Sequence, residues 1–253
     1  MTTSPNSFSL GAHAPVLLDD DGRPLAIAHG LERALPGLRL NWTMTESEGL
    51  VPLPDRDEWL KRQKVADKGL PFLCNDDETR VVTLTGWELP AGQCPRHQPQ
   101  LKVSASLPLD AAVIAASVDI LVEVAEGARA WWGHLTPDGV MLDIAHQTGP
   151  KARGPGTPPR GLPALQLPEK LPSPEIPHYL GWLNYWSAAS ARALGFPDAA
   201  RDAELLSRAR RTATGGWVVR LTETPLDLDD SVHRDILLRA YARFPEIGGR
   251  TLP

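Results

Sequence analysis

Sulfur is scarce in this chain, whose 253 residues include only two cysteines, Cys74 and Cys94. A secreted scaffold stapled by several disulfides is therefore excluded. A dominant charge of one sign is also lacking. The formal net charge is −5 and no long Lys/Arg run occurs, so no nucleic-acid partner is expected. Long apolar runs are missing as well. The most apolar stretch, 111–125, contains Asp119 and Glu123 and is too short to span a bilayer, so no membrane insertion is expected. The opening Met-Thr-Thr-Ser-Pro-Asn has no basic segment followed by an apolar one, which makes the cytoplasm the expected location.

What is present is a globular composition, 42% hydrophobic and 23% charged, sufficient for one large domain or two small ones. Eight tryptophans against four phenylalanines favour a side chain that is apolar in body but carries one N–H donor needing a partner. Acidic residues are weighted to the front: 1–98 hold 14 acidic and 10 basic side chains, whereas 99–253 hold 17 and 16. The 25 prolines cluster, nine of them in 149–177, a stretch that cannot hold a helix or a central strand.

The pattern along the chain is α+β. Phe8 to Leu18 reads as a strand ending in the turn signal Asp19-Asp20-Asp21-Gly22. Pro24 then opens a helix carrying Leu25, Ala28, Leu31 and Leu35, stopped by Pro36-Gly37, and 38–45 reads as a second strand. Residues 55–64 suit a short polar helix and 80–87 a strand. The order begins again near Gln100, with alternation over 101–107, a helix capped by Asp110 and running to Glu126, a strand over 129–135 and a short helix over 138–146. Further strands are expected at 179–187 and 216–222, with helices opening at Asp198 and at Asp229-Asp230-Ser231. The expected fold is thus mixed or antiparallel sheets backed by helices. It divides into an N-terminal unit (1–98) and a C-terminal unit (99–253) with a proline-rich loop at 149–177, each unit containing a related β-α-β opening.

Catalytic and cofactor patterns are hard to find. There is no Gly-x-Ser-x-Gly elbow. Cys94-Pro-Arg-His97 has ligand-like spacing, but no second Cys/His pair completes a zinc set, and no metal is expected. Neither Asp19-Asp20-Asp21 nor Asp76-Asp77-Glu78 follows a Ca²⁺-loop pattern. Asp119, Glu123 and Glu126 share one helix face, as carboxylates in acid–base catalysis can, but solvation of a helix's one wet stripe gives the same spacing. Gly154-Pro-Gly156 and Gly248-Gly249 neither follow a strand nor open a helix, so phosphate-cradle and dinucleotide readings fail and no cofactor is expected.

The aromatics remain. On a regular strand Trp182 and Trp186 share a face, with Leu183 and Tyr185 opposite, and the neighbours Trp131 and Trp132 must point to opposite sides. Core packing is the simpler reading. A partner-binding surface is the functional one, since Trp and Tyr dominate interface hot spots. On that reading Trp131, Trp132, Trp182, Tyr185 and Trp186 are candidate contact residues, with Asp76, Asp77 and Glu78 as an acidic complement.

Gly181-Trp-Leu-Asn-Tyr-Trp-Ser187, Leu194-Gly-Phe-Pro-Asp198, Gly216-Trp-Val-Val-Arg-Leu-Thr222 and Phe244-Pro-Glu-Ile-Gly-Gly249 together resemble an uncharacterised myxobacterial family. That family is similar to polymorphic-toxin and type VI secretion immunity proteins carrying a Gly-Trp-x-x-Tyr-x-Ser strand. The resemblance covers 178–250 and, by element order alone, 100–147. It implies a non-enzymatic protein that binds and blocks a cognate bacterial toxin, and it carries over no catalytic residue. The alternatives are a hydrolase assembled from distant groups, Cys94 or a carboxylate with His97, His134 or His178, and a scaffold subunit that docks through the proline-rich loop.

Overall fold

The computed structural model describes residues 7–19, 21–45, 49–62, 69–148 and 158–250. Its strands in chain order are β1 (Ser7–Pro15), β2 (Trp42–Met44), β3 (Leu50–Pro52), β4 (Leu70–Cys74), β5 (Thr83–Leu89), β6 (Gln100–Pro108), β7 (Trp132–Pro137), β8 (Leu183–Trp186), β9 (Ala209–Arg211) and β10 (Trp217–Arg220). The helices are α1 (Arg23–Ala34), α2 (Arg56–Arg62), α3 (Ala111–Gly127), α4 (Asp138–His146), α5 (Ala188–Ala193), α6 (Ala203–Leu206) and α7 (Ser231–Arg243). The strands form one antiparallel sheet in the order β3-β2-β4-β5-β6-β1-β7-β8-β10-β9.

Period-two alternation fixes what each face of this sheet does. Phe8, Leu10, Ala12 and Ala14 of β1 lie beside Leu107, Ala105, Val103 and Leu101 of β6, and all eight are buried. That apolar face is covered by α1 and α3, which pack against each other. The helix α3 starts where Asp110 Oδ1 accepts the Val113 N–H at 2.9 Å. The start of α1 has no side-chain cap and is held instead by buried Arg23. Its guanidinium donates to the carbonyls of Pro15 (2.7 Å), Val16 (2.6 Å) and Ala128 (3.1 Å) and pairs with Asp21.

The inner strands follow the order β5-β6-β1-β7. Segments β1-α1-β5 and β6-α3-β7 each supply two strands that do not touch, because each closing strand pairs with the other segment's first strand. This is the split β-α-β arrangement of ferredoxin-like folds, extended at both edges. It accounts for the two β-α-β openings, with β2, β3, α2 and β4 lying between α1 and β5. The division expected at residue 98 falls between the paired strands β5 and β6, and β1 lies between β6 and β7. The sheet therefore runs unbroken across that position.

Several elements depart from expectation. Strand β1 stops at Pro15, and β2 begins only at Trp42. Unforeseen β4 contains Pro71 and tolerates it through a register shift between Leu70 and Leu73. Asp198 caps a turn, accepting from Ala200 N at 3.0 Å, and the helix beyond it is only Ala203–Leu206. Of the expected helix 55–64, residues 63 and 64 lie outside the described residues, as do Asp20 and Gly154-Pro155-Gly156.

The described part of the proline-rich loop, 158–177, is a strap packed on its own fold. Leu162, Leu165, Leu171 and Ile176 are buried beneath it. Its backbone is tied down by Leu165 N to Gln147 O (3.0 Å), Gln166 N to Gly248 O (2.8 Å) and Gln147 Nε2 to Pro163 O (2.9 Å). The strap crosses the chain end at Gly248, whose φ is +71°. A methyl at Gly248 would run into the Leu165 side chain and stand 3.0 Å from the His178 carbonyl oxygen. Gly248→Ala combines left-handed strain with overpacking and is expected to cost about 2–4 kcal/mol in urea denaturation. Gly139→Ala, at an exposed helical position with open space around it, should be neutral or stabilising by up to ~1 kcal/mol in the same measurement.

Candidate functional site

The reverse face of the sheet carries the other half of each alternation. His13 of β1 stands opposite Lys102 of β6 and opposite Trp132 of β7, and Trp132 stands opposite Trp186 of β8. Gln100 begins β6 on the same face. The strap and α7 cover part of this face, and between strap and sheet lies a cavity of about 370 Å³. Its floor is His13, Gln100, Lys102 and Trp132, and its strap-side wall is Leu167, Pro168, Glu169, Leu171 and Ile176. Leu89, Gln93 and Pro95 close one end, and His178 and Tyr179 another.

The ring packing in this region is dense. His13 stacks on Trp132 with centroids 4.0 Å apart, and Tyr179 meets Trp132 edge-on at 5.6 Å. Beside the cavity the Tyr179 hydroxyl is 2.8 Å from His134 Nε2, and His178 Nε2 is 2.9 Å from the Gln166 carbonyl. Two lining atoms, His13 Nε2 and Gln100 Nε2, are buried without a hydrogen-bond partner, as is the neighbouring His134 Nδ1.

Burial and the nearby Lys102 charge together push His134 down to about 3 and hold His13 well below the usual histidine range. Burial lowers His178 too, against the hydrogen bond that its ring N–H donates to the Gln166 carbonyl, which favours its charged form. Burial also pushes the Tyr179 phenol up. The Tyr179 hydroxyl therefore keeps its proton and shares a hydrogen bond with a neutral His134, whose tautomer sets the direction. Lys102 is lowered by burial alone, and its ammonium sits 5.4 Å from the Trp87 ring centroid. With its histidines neutral, Lys102 is the cavity's basic side chain, although burial lowers its affinity for the proton.

The sequence-derived candidates are dispersed. Trp132, Trp182, Tyr185 and Trp186 are buried, and Trp131 is half-buried against the core. Trp182 stacks on Phe8 at 5.4 Å, whereas Trp186 meets Phe196 at 5.2 Å and Phe244 at 5.0 Å. The two indoles do not join one cluster, because regular strand begins only at Leu183. The indole of Trp182 donates to Thr222 O at 2.9 Å, Asn184 bonds Gly181 in both directions, and Ser187 caps α5. A Cβ at Gly181 would collide with the Thr136 hydroxyl that binds Trp182 N. The Gly-Trp-x-x-Tyr-x-Ser residues thus hold the sheet together and present no aromatic surface.

Asp76 and Glu78 are exposed on the turn between β4 and β5. Asp77 is engaged in that turn, accepting from Thr79 N (2.9 Å) and Arg80 N (3.0 Å), and these bonds with that from the Thr79 hydroxyl hold its carboxyl below the usual range. Asp76 and Asp77 border a groove of about 630 Å³ shared with Arg39, Trp42 and Arg80.

The enzyme-like candidates are engaged elsewhere. The Cys94 thiol is buried, pushed up by that burial, and 3.5 Å from the Leu89 carbonyl, while His97 is exposed. Asp119 pairs with Arg210 (2.7 Å), Glu123 with Arg33 (2.7 Å), and Glu126 accepts from the Thr214 hydroxyl (2.6 Å). No group of three or more metal-ligating side chains forms among the described residues.

Sequence reasoning missed His13, Gln100, Lys102 and Tyr179. A signal was available in the polar half of the alternation, Gln100-x-Lys102-x-Ser104-x-Ser106, which places two long polar side chains on the face away from the helices.

An extended antiparallel α+β sheet, helix-covered on one face and strapped over a cavity on the other, defines the structural class. A family model described as a domain of unknown function, DUF5953, matches residues 19–252, and the chain belongs to that family. Among solved structures, the fold is similar to the Pseudomonas aeruginosa T6SS protein PA0821 at a TM-score of 0.58. The two are 14% identical, over 96% of this chain and 74% of that one. No curated protein matches the chain. Among the described residues, no helix is long and apolar enough to cross a membrane.

The buried histidines make stability depend on pH. An unfolded histidine takes its proton near ~6.5, but folded His134 takes it only near about 3. Between those values the unfolded chain binds more protons, so stability falls as pH drops through that window, by up to about 1.4 kcal/mol per pH unit per histidine. Melting temperatures are expected to be level above pH 7 and to decline from pH 6.5 to 5. His134→Gln should show a shallower decline. A melting temperature unchanged from pH 7 to 5 would contradict burial of neutral imidazoles.

Proposed function

We propose that this protein is a non-enzymatic, immunity-type binding protein that neutralises a cognate bacterial toxin by direct contact in the cytoplasm. The observation carrying this reading is the shared fold with a type VI secretion system protein over 96% of the chain. It is supported by the motif resemblance in 178–250 and by the engagement of Cys94 and the α3 carboxylates in packing and surface ion pairs.

With the tryptophans of β7 and β8 buried, the contact surface is assigned to the acidic turn. Asp76 and Glu78 project from it, and the exposed side chains of Val81 and Trp87 lie on the following segment. An acidic turn next to exposed Val81 suits a basic protein surface, with the charges governing encounter; Trp87, near the far end of β5, would extend that contact along the strand. The test is co-expression with the toxin-domain gene adjacent on the chromosome. The protein should co-purify with that product and restore growth, and Asp76→Lys with Glu78→Lys should weaken the complex at least tenfold without lowering the melting temperature. Neither complex nor rescue would refute the proposal.

A further inference from the structure

Beyond partner binding, the cavity under the strap has the composition of a small-molecule site. Lined cavities of 300–1,000 Å³, mostly apolar with a few convergent polar groups, are the usual form of such sites. This one, at about 370 Å³, has room for about a dozen non-hydrogen groups at ~30 Å³ each. Three of its polar groups, His13, Gln100 and Lys102, gather on the sheet floor. Gln100 is 3% exposed and His13 is 9% exposed, and in each the Nε2 atom lacks a partner. A buried polar atom left unpaired costs about 1–3 kcal/mol, so both atoms favour a ligand that pairs with them.

Charge selects the kind of ligand. Lys102 projects from the same floor, opposite His13 across the β1–β6 ladder. No carboxylate of the described residues lies within ion-pair distance of its ammonium. The acidic lining residue Glu169 belongs to the strap and acts on His178. A half-buried ammonium without a counter-charge, beside an amide N–H and an imidazole, fits a carboxylate. The strap side and the Leu89 end of the wall are mostly apolar (Leu89, Leu167, Pro168, Leu171 and Ile176), with the other polar groups, Gln93, Glu169, His178, Tyr179 and the Trp132 N–H, spread around the rim and not gathered at one point. Against those leucines a polar body would lose its water without replacement, and a second anionic group would meet the Glu169 carboxylate.

We propose that this cavity binds a small monocarboxylic acid with an apolar body, the carboxylate held by Lys102 and Gln100 beside His13 and the body lying under the strap leucines. This inference is independent of the toxin reading, since it concerns a site on the reverse face of the sheet and needs no protein partner.

Calorimetric titration of the full chain at pH 7 with octanoate, and with 1-octanol as its uncharged counterpart, tests it. Octanoate should bind at least tenfold more tightly than octanol. Lys102→Met should bring the two within about twofold of each other, and Gln100→Leu should weaken octanoate severalfold while sparing octanol. Equal affinities, no octanoate binding at millimolar concentration, or an undiminished preference in Lys102→Met would overturn the proposal. If Lys102→Met does not fold, the wild-type comparison decides, together with protection of Leu167 and Leu171 amides from exchange on adding octanoate. Loss of toxin binding with octanoate binding intact would leave this site standing, and the converse would remove it alone.

Discussion

Everything in this fold depends on β1 being shared. One nine-residue strand is the hydrogen-bonded neighbour of both β6 and β7, so its two faces must satisfy two different environments. Phe8, Leu10, Ala12 and Ala14 meet the helix layer, and burying side chains of that size contributes on the order of 1.5–3 kcal/mol for each larger one. His13, on the opposite face, helps form the floor of the cavity. A one-residue slip of register would exchange the two sets, placing His13 against α1 and α3 and the apolar residues under the strap.

The strap resolves what would otherwise be an unstable surface. A sheet face holding Trp132, Trp186 and several polar side chains is too apolar to leave open and too polar to bury under a conventional helix. Proline-rich chain supplies leucines at irregular spacing without demanding a regular ladder of its own, and its backbone groups find partners in Gln147, Gly248 and the His178 ring. The histidines beneath it are accommodated by remaining neutral, so the region carries little charge to desolvate apart from Lys102.

Much of the fold was legible because its information is local. Asp110 as a cap, the alternation of 101–107 and the dense apolar content of α3 are each decided within a few residues. Strands β3, β4 and β9 escaped because they are three to five residues long and take their shape from neighbours, Pro71 at a bulge being the clearest case. The cavity was illegible for a different reason. His13, Gln100, Lys102 and His178 come from three separated stretches, and only the sheet register and the strap's path bring them together. The tryptophans show the opposite error: strand parity was extended back to Trp182, but the ladder starts one residue later.

The sharing of β1 also governs the order in which the molecule can be assembled. Its partners lie roughly a hundred residues downstream, so during synthesis β1 stays unpaired until residues through Pro108 have emerged and gains its second neighbour only when residues through Pro137 follow. During the first part of that interval Phe8 and Leu10 have no sheet to join, and the β2-β3-β4 segment can pair only with β5. The chain is thus committed to late, concerted closure, with its aggregation-prone window set by synthesis time and not by any single weak contact.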